Sequence, residues 1–173
     1  ARTQVQCKVL TRWKGNAMSF PVGFKFGHSN RIAYVTEWRS HCVNILRCIH
    51  SKTGPPTFQH LQTITQVGIA SKPTFKNPLR MFVLRNQNLL LICDWGNSRI
   101  LVYRNHSDPK PESKDLKGLK TKLTLVRDLE LGIQPIGLSV TSTGTLLTTI
   151  AHSAKQLRIY TMEPVKNTTN KKN

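Results

Sequence analysis

Apolar residues come along this chain in blocks, and the blocks return at a fixed distance. Pro21, Pro78 and Pro135 stand 57 residues apart, and each opens a stretch of 28 residues with the same texture. The stretches are PVGFKFGHSNRIAYVTEWRSHCVNILRC, PLRMFVLRNQNLLLICDWGNSRILVYRN and PIGLSVTSTGTLLTTIAHSAKQLRIYTM, and they align without a gap. Eight columns are apolar in every copy: Val22/Leu79/Ile136, Phe24/Met81/Leu138, Phe26/Val83/Val140, Ile32/Leu89/Leu146, Ala33/Leu90/Leu147, Val43/Ile100/Leu157, Ile45/Val102/Ile159 and Leu46/Tyr103/Tyr160. With 38% of residues apolar, chance would fill about 0.05 of the columns this way, roughly one or two, so the repeat is real.

Alternation in the columns led by Val22, Phe24 and Phe26, and again at Val43 and Ile45, has the period of a strand with one buried face. Polar clusters between the runs, Gly27 to Asn30, Arg85 to Asn88 and Ser142 to Thr145, suit tight turns. Leu89 to Cys93 and Leu146 to Ile150 are apolar nearly throughout, as in strands covered on both faces. No segment has a helical period. Val9 to Trp13, Phe58 to Ile64 and Leu123 to Leu131 predict a further strand upstream of each next proline. Four antiparallel strands repeated radially describe propeller blades. The predicted class is therefore all-β, a partial β-propeller of about three four-stranded antiparallel blades. The competing readings are a stacked β-solenoid, whose coils are usually shorter and parallel, and a plain sandwich.

This pattern divides the chain into an outer strand and lead-in (1–20), a first blade (21–77), a second blade with an exposed loop at 105–122 (78–134), a third blade (135–163) and a disordered basic tail (164–173). Asp108 to Lys122 mixes five Lys with three acids around Pro109 and Pro111, a solvated loop. The tail after Met162 has almost nothing to bury.

The second blade carries CDWGNSRILVY from Cys93 to Tyr103. This resembles the signature of NHL repeats: an aspartate, Gly-Asn, an arginine, then alternating apolar residues after a proline-led strand pair. Asp94 and Asn97 suit bonding to the turn backbone, Gly96 a positive φ, and Arg99 a stem lying along the return strand. The first copy has Glu37, Trp38, Arg39, Ser40 and His41 there, and the third has Ala151 to Lys155, so both lack the Gly-Asn pair. The resemblance spans residues 21 to about 162. It implies a propeller and two precedents: carboxy-terminal NHL domains that bind RNA through a positive face, and NHL domains that bind proteins.

Three blades leave two open flanks. The remaining blades are expected from a missing amino-terminal part of a longer protein, of which this is a C-terminal fragment, or from a second copy. The absence of an initiating Met and the basic start at Ala1 favour the first.

Charge then narrows the function. The chain holds 26 Lys and Arg against 8 Asp and Glu, a formal charge of +18, and residues 1–85 contain a single acid, Glu37. So few carboxylates leave little room for paired acid and base chemistry. Such a field attracts polyanions, although a solubilising surface balanced by acids elsewhere in a longer protein would look the same. No apolar run approaches the ~20 residues that cross a bilayer, so no membrane partner is expected, and the cytoplasm is the expected location.

Cys7, Cys42, Cys48 and Cys93 include no Cys-x-x-Cys pair. Cys42 and Cys48 fall on one predicted strand about 20 Å apart, beyond disulfide reach, and Cys93 reads as a small core residue. The six histidines show no ligand spacing. His41 and His152 both fall in second-turn loops, and analogy with the peptidyl-hydroxyglycine lyases, propellers with a central metal, is the best case for an enzyme. Ser40 beside His41 lacks a carboxylate partner and reads as a surface turn. Asn105-His106-Ser107 and Asn167-Thr168-Thr169 match the glycosylation acceptor pattern in predicted exposed loops.

What remains is a basic rim with aromatic residues. Trp38 and Trp95 share a column at the second-turn tips, near Arg39, Asn97, Arg99, His152, Lys155 and Arg158. Aromatic platforms with arginines between them hold single-stranded RNA; alternatively both rings fold down over blade edges. The expectation is a non-catalytic module, not an enzyme, binding RNA or another polyanion through this rim. No cofactor or metal is called for. A protein–protein scaffold of the tripartite-motif or ubiquitin-ligase type is the alternative, and a metal-dependent lyase-like propeller the more distant one.

Overall fold

A computed structural model of the protein describes residues 18–28, 30–65, 74–106, 122–151 and 156–162. The described residues form three antiparallel sheets: β1 (Pro21–Phe26), β2 (Ile32–Glu37), β3 (Cys42–Ile49) and β4 (Thr57–Ile64); β5 (Pro78–Leu84), β6 (Leu89–Asp94), β7 (Arg99–Asn105) and β8 (Leu123–Glu130); and β9 (Pro135–Val140), β10 (Leu146–Ala151) and β11 (Gln156–Thr161). Each sheet is a meander in chain order. Strands β1, β5 and β9 start at the three repeated prolines, where a strand tolerates the missing N–H. In each sheet the pairing of the first two strands slips beside that proline, between Pro21 and Gly23, Pro78 and Met81, and Ile150 and Ala151. A bulge at one repeated position gives each blade the same local twist.

The blades are fanned: β1 packs on β5 and β5 on β9, so the first strands converge on one axis. This is a partial β-propeller. Two apolar seams hold it together. Ile32, Tyr34, Val43 and Ile45 of the first blade form one cluster with Phe75, Met81, Leu90, Ile92, Leu101 and Tyr103. Leu89, Leu91, Cys93, Ile100 and Val102 form another with Val140 and Leu147 of the third blade. Strand β6 serves both seams, which explains its unbroken apolar sequence. Each fully buried Leu or Ile in these seams stabilises the fold by about 1.5–3 kcal/mol. Polar bonds tie the seams: Asn105 Nδ2 donates to Tyr34 Oη at 2.7 Å, Arg85 to Asn30 Oδ1 at 2.8 Å, Asn86 to the Ser142 carbonyl at 2.8 Å and Gln87 to the Thr143 carbonyl at 3.0 Å. Thr36 Oγ1 donates to the Leu79 carbonyl from the first blade to the second.

Several expectations need adjustment. Among the described residues the third sheet has three strands, ending at β11. The strand expected at Val9 to Trp13, most of the loop at 105–122 and the tail lie outside the described residues. Asn105 sits on β7, buried and bonded to Tyr34, so its amide is committed to the seam where an exposed position was expected; Ser107 of that triplet and Asn167 lie outside the described residues. Among them, no helix is long and apolar enough to cross a membrane. Cys42 and Cys48 both lie on β3, and with Cys93 they are free and buried.

Candidate functional site

At the second turn of the second blade, Trp95 to Asn97 form a single 3-10 turn, and the left-handed residue is Ser98 at φ 54°. Gly96 is therefore required for a different reason from the expected one: a Cβ there would lie 2.8 Å from the Lys76 carbonyl oxygen. Asp94 is fully buried and accepts three bonds, from Lys76 N–H at 2.7 Å, Asn97 Nδ2 at 2.8 Å and Arg99 Nε at 2.8 Å. Arg99 Nη1 also reaches Asp128 Oδ2 at 2.8 Å. The arginine thus bridges two carboxylates inside the blade, and its guanidinium is not offered to a ligand. Asn97 is spent on Asp94 and on the Thr74 carbonyl, 2.9 Å away. Nearby, burial pushes the Tyr103 hydroxyl well above its ordinary pKa.

The two rim tryptophans do meet, but each other: the Trp38 and Trp95 ring centroids are 4.8 Å apart at 45°, and both rings are half-buried. They form one inter-blade stack where two separate platforms were expected. Asn77 locks it, donating from Nδ2 to the Trp38 carbonyl at 3.0 Å and from its backbone N–H to His41 Nδ1 at 3.0 Å. Ser40 Oγ bonds Ser19 Oγ at 2.9 Å. Arg39 lies over the Phe20 ring, 5.3 Å from its centroid. Arg158 contacts Gln156 Oε1 at 3.3 Å on the third blade. His152 and Lys155 lie outside the described residues.

A different locus emerges where the first strands converge. A cavity of about 320 Å³ is lined by Gly23, Phe24 and Lys25 of β1, Arg80 and Met81 of β5, and Gly137 and Leu138 of β9. Gly23, Arg80 and Gly137 occupy one column of the repeat. A Cβ on Gly23 would sit 2.4 Å from the Leu79 carbonyl oxygen, so the inner strands approach closely only because that position is bare. Arg80 and Lys25 are exposed, and both ion pairs among the described residues belong to Arg99. Two exposed cations and no acid line this cavity, a charge arrangement that suits an anion, and the guanidinium fork suits a phosphate or carboxylate in particular. No His, Asp or Glu lines this cavity, and among the described residues no His, Cys, Asp and Glu cluster fit for a metal occurs. A larger groove, about 550 Å³, lies on the flank of the first blade and is mostly apolar, with Met18, Val35, Leu46 and Phe58 in its wall. Its lining is that of a seam rather than of a ligand site. Sequence reading missed Arg80 because it weighed the apolar columns; the signal was a lone arginine in a column otherwise glycine.

No family model matches the sequence, and no curated protein does. Solved structures do resemble the fold. A candidate 6-phosphogluconolactonase from Bacteroides uniformis superposes with TM-score 0.60 at 18% identity, covering 84% of this chain and 37% of its own. The periplasmic gluconolactonase PpgL of Pseudomonas aeruginosa gives 0.61 at 17% identity, covering 83% and 36%. A Lactobacillus plantarum protein gives 0.64 at 14%, covering 83% and 38%. The chain spans well under half the length of these structures. The comparisons correct the expectation of a non-catalytic RNA-binding module, of its scaffold alternative and of a protein that is not an enzyme: two of these three neighbours are lactonases by name, and Arg99 and Asn97 of the rim are committed within the fold.

Proposed function

We propose that the chain is part of a lactonase-like propeller enzyme whose axial pocket binds an anionic sugar, a lactone or the acid it yields. The observation that carries this reading is the cavity at the converging first strands, where Arg80 stands between two glycines with Lys25 beside it. Its 320 Å³ suits a single small sugar, at the lower end of the roughly 300–1,000 Å³ common for ligand pockets. In lactone hydrolysis water adds to the ring carbonyl, the ester C–O bond breaks, and a carboxylate and a hydroxyl result. Arg80 and Lys25 would hold the anionic group of the substrate and orient the ring. The group that activates water is supplied, in this reading, by blades beyond the described residues.

Calorimetric titration of 6-phosphogluconate into the full-length protein tests it. Arg80→Ala should weaken binding by about 10- to 150-fold, as for a lost charge-assisted hydrogen bond of about 1.5–3 kcal/mol. Equal affinity in the variant, or no binding by the parent, would refute the reading.

The blades themselves we read as NHL-type, supported by the placement of Asp94, Asn97 and Arg99 in one bonded turn; substitutions at Asp94, discussed below, test whether these motif residues are structural. We place the protein in the cytoplasm, a reading supported by three buried free thiols; recovery of the full-length protein from the culture medium of its source cells would overturn that.

A further inference from the structure

One column of the repeat crosses from blade to blade. Thr36 on β2 and Cys93 on β6 stand one repeat apart, both 0% exposed, and each bonds the first strand of the next blade. Thr36 Oγ1 donates to the Leu79 carbonyl of β5, and Cys93 Sγ donates to the Gly137 carbonyl of β9 at 3.9 Å. The bulge in β5 makes the first of these possible. Pro78 pairs with Asp94 and Met81 with Ile92, so Leu79 and Arg80 together face Cys93 alone. The peptide that joins Leu79 to Arg80 leaves its own ladder, and its two polar ends are taken by two blades. Its carbonyl accepts from Thr36 of the first, and its N–H donates to the sulfur of Cys93 in the second. Burial keeps that thiol protonated, so one sulfur accepts from Arg80 and donates to Gly137. Gly23 leaves room for the arrangement, since a Cβ there would lie 2.5 Å from Thr36 Oγ1.

We propose that Thr36 and Cys93 are positioning residues for Arg80, clamping the peptide that carries its Cα so that its guanidinium meets the anion held in the axial cavity. Neither side chain lines that cavity, so both act through the backbone. Arg80 is exposed and has a long side chain, and such a group gives up rotamer freedom when it grips a ligand. Fixing the backbone from which it springs spares part of that loss and sets where the guanidinium can reach, and a displacement of about 1 Å is enough to weaken a positioned contact greatly. The inference rests on the reading of the axial cavity as the substrate site. It adds that the fit of the first blade against the second sets the cation of that site.

The test takes two readouts on the full-length protein: amide hydrogen exchange at Arg80 with no ligand present, and affinity for 6-phosphogluconate. Thr36→Val removes the donor, and it should speed the exchange and weaken the affinity, each by about 2- to 10-fold, the worth of one neutral hydrogen bond. Thr36→Ser keeps the hydroxyl and should return both to the parent values. In an Arg80→Ala background Thr36→Val should leave the remaining affinity unchanged, because no guanidinium is left to place; a general loosening of the fold would weaken it there too. Cys93→Ala reads the clamp from its other end and should act as Thr36→Val does, which keeps the test open should one variant fail to fold. Exchange unmoved by both variants, or exchange quickened with affinity intact, would overturn the inference and leave the sugar reading standing. A parent that does not bind the sugar acid sinks the sugar reading instead. Inorganic phosphate then serves as the probe, and the positioning role stands if Arg80→Ala and Thr36→Val both weaken phosphate binding and is overturned otherwise.

Discussion

The second turns of the first and second blades occupy the same place in the repeat and solve one problem with different chemistry. In both, a fully buried carboxylate at the end of the middle strand receives backbone N–H groups from the lead-in to the first strand. Asp94 takes that of Lys76 at 2.7 Å, and Glu37 takes those of Ser19 and Phe20 at 3.1 and 2.8 Å. What differs is the counter-charge. The column that holds Arg99 in the second blade holds Cys42 in the first. Asp94 is therefore neutralised by a buried guanidinium, while among the described residues Glu37 has no ion-pair partner and its Oε1 no hydrogen-bond partner. The carboxylate's shared task is to hold the incoming backbone, and the arginine is an addition that lets the second turn be buried more deeply.

That contrast can be broken at its stronger end first. Asp94→Ala strips Arg99 of one of its two carboxylates and orphans the Lys76 N–H, so it should cost about 3–5 kcal/mol in denaturant unfolding, the range for a broken buried pair. Glu37→Ala frees backbone groups near the surface that water can reach, and about 1–2 kcal/mol is expected. Equal losses at the two sites would mean that the arginine adds nothing and that the difference between the turns is only one of appearance.

The next test asks whether the turns are coupled through their tips. A double-mutant cycle on Trp38→Ala and Trp95→Ala should return an interaction of about 0.5–1.5 kcal/mol, as for stacked aromatic pairs. Additive losses would show that each ring packs independently on its own blade.

The smallest effect concerns the thiols. Burial, and after it the negative charge of Glu37, pushes Cys42 up to about 11, while burial pushes Cys93 up to about 12. Both values lie above those of an unfolded thiol, so the folded protein favours the protonated form. The associated stability is present at neutral pH and is lost as pH rises from about 8.5 through these values. Melting temperatures should fall across that window, and Cys42→Ala should flatten the lower part of the fall. A slope unchanged by that substitution would assign the alkaline loss elsewhere.

Much of this fold could be read without coordinates. The proline-led strands start where the repeat placed them, and strand β6 is covered on both faces as its continuous apolar run implied. The first turns also lie at the polar clusters. The candidate site was far less legible. Trp38 and Trp95 share a column, which says that they recur on one edge; it does not say that the fan angle brings their rings into contact. Arg99 looked like a rim cation because a strand pattern places a side chain on a face without revealing what lies opposite, and Asp128, which accepts from it, is 29 residues away. Asn105 matched a glycosylation triplet, yet its amide faces Tyr34 across 71 residues of sequence.

Sequence by itself determined the unit: a 57-residue period, a two-residue alternation and turn residues between them, all of which act through near neighbours on the chain. Only tertiary structure decided which charges are spent and which are free. Arg99 vanished into a pair of carboxylates and Arg80 emerged beside a cavity because those outcomes depend on how far one blade turns against the next, a quantity that no local pattern encodes.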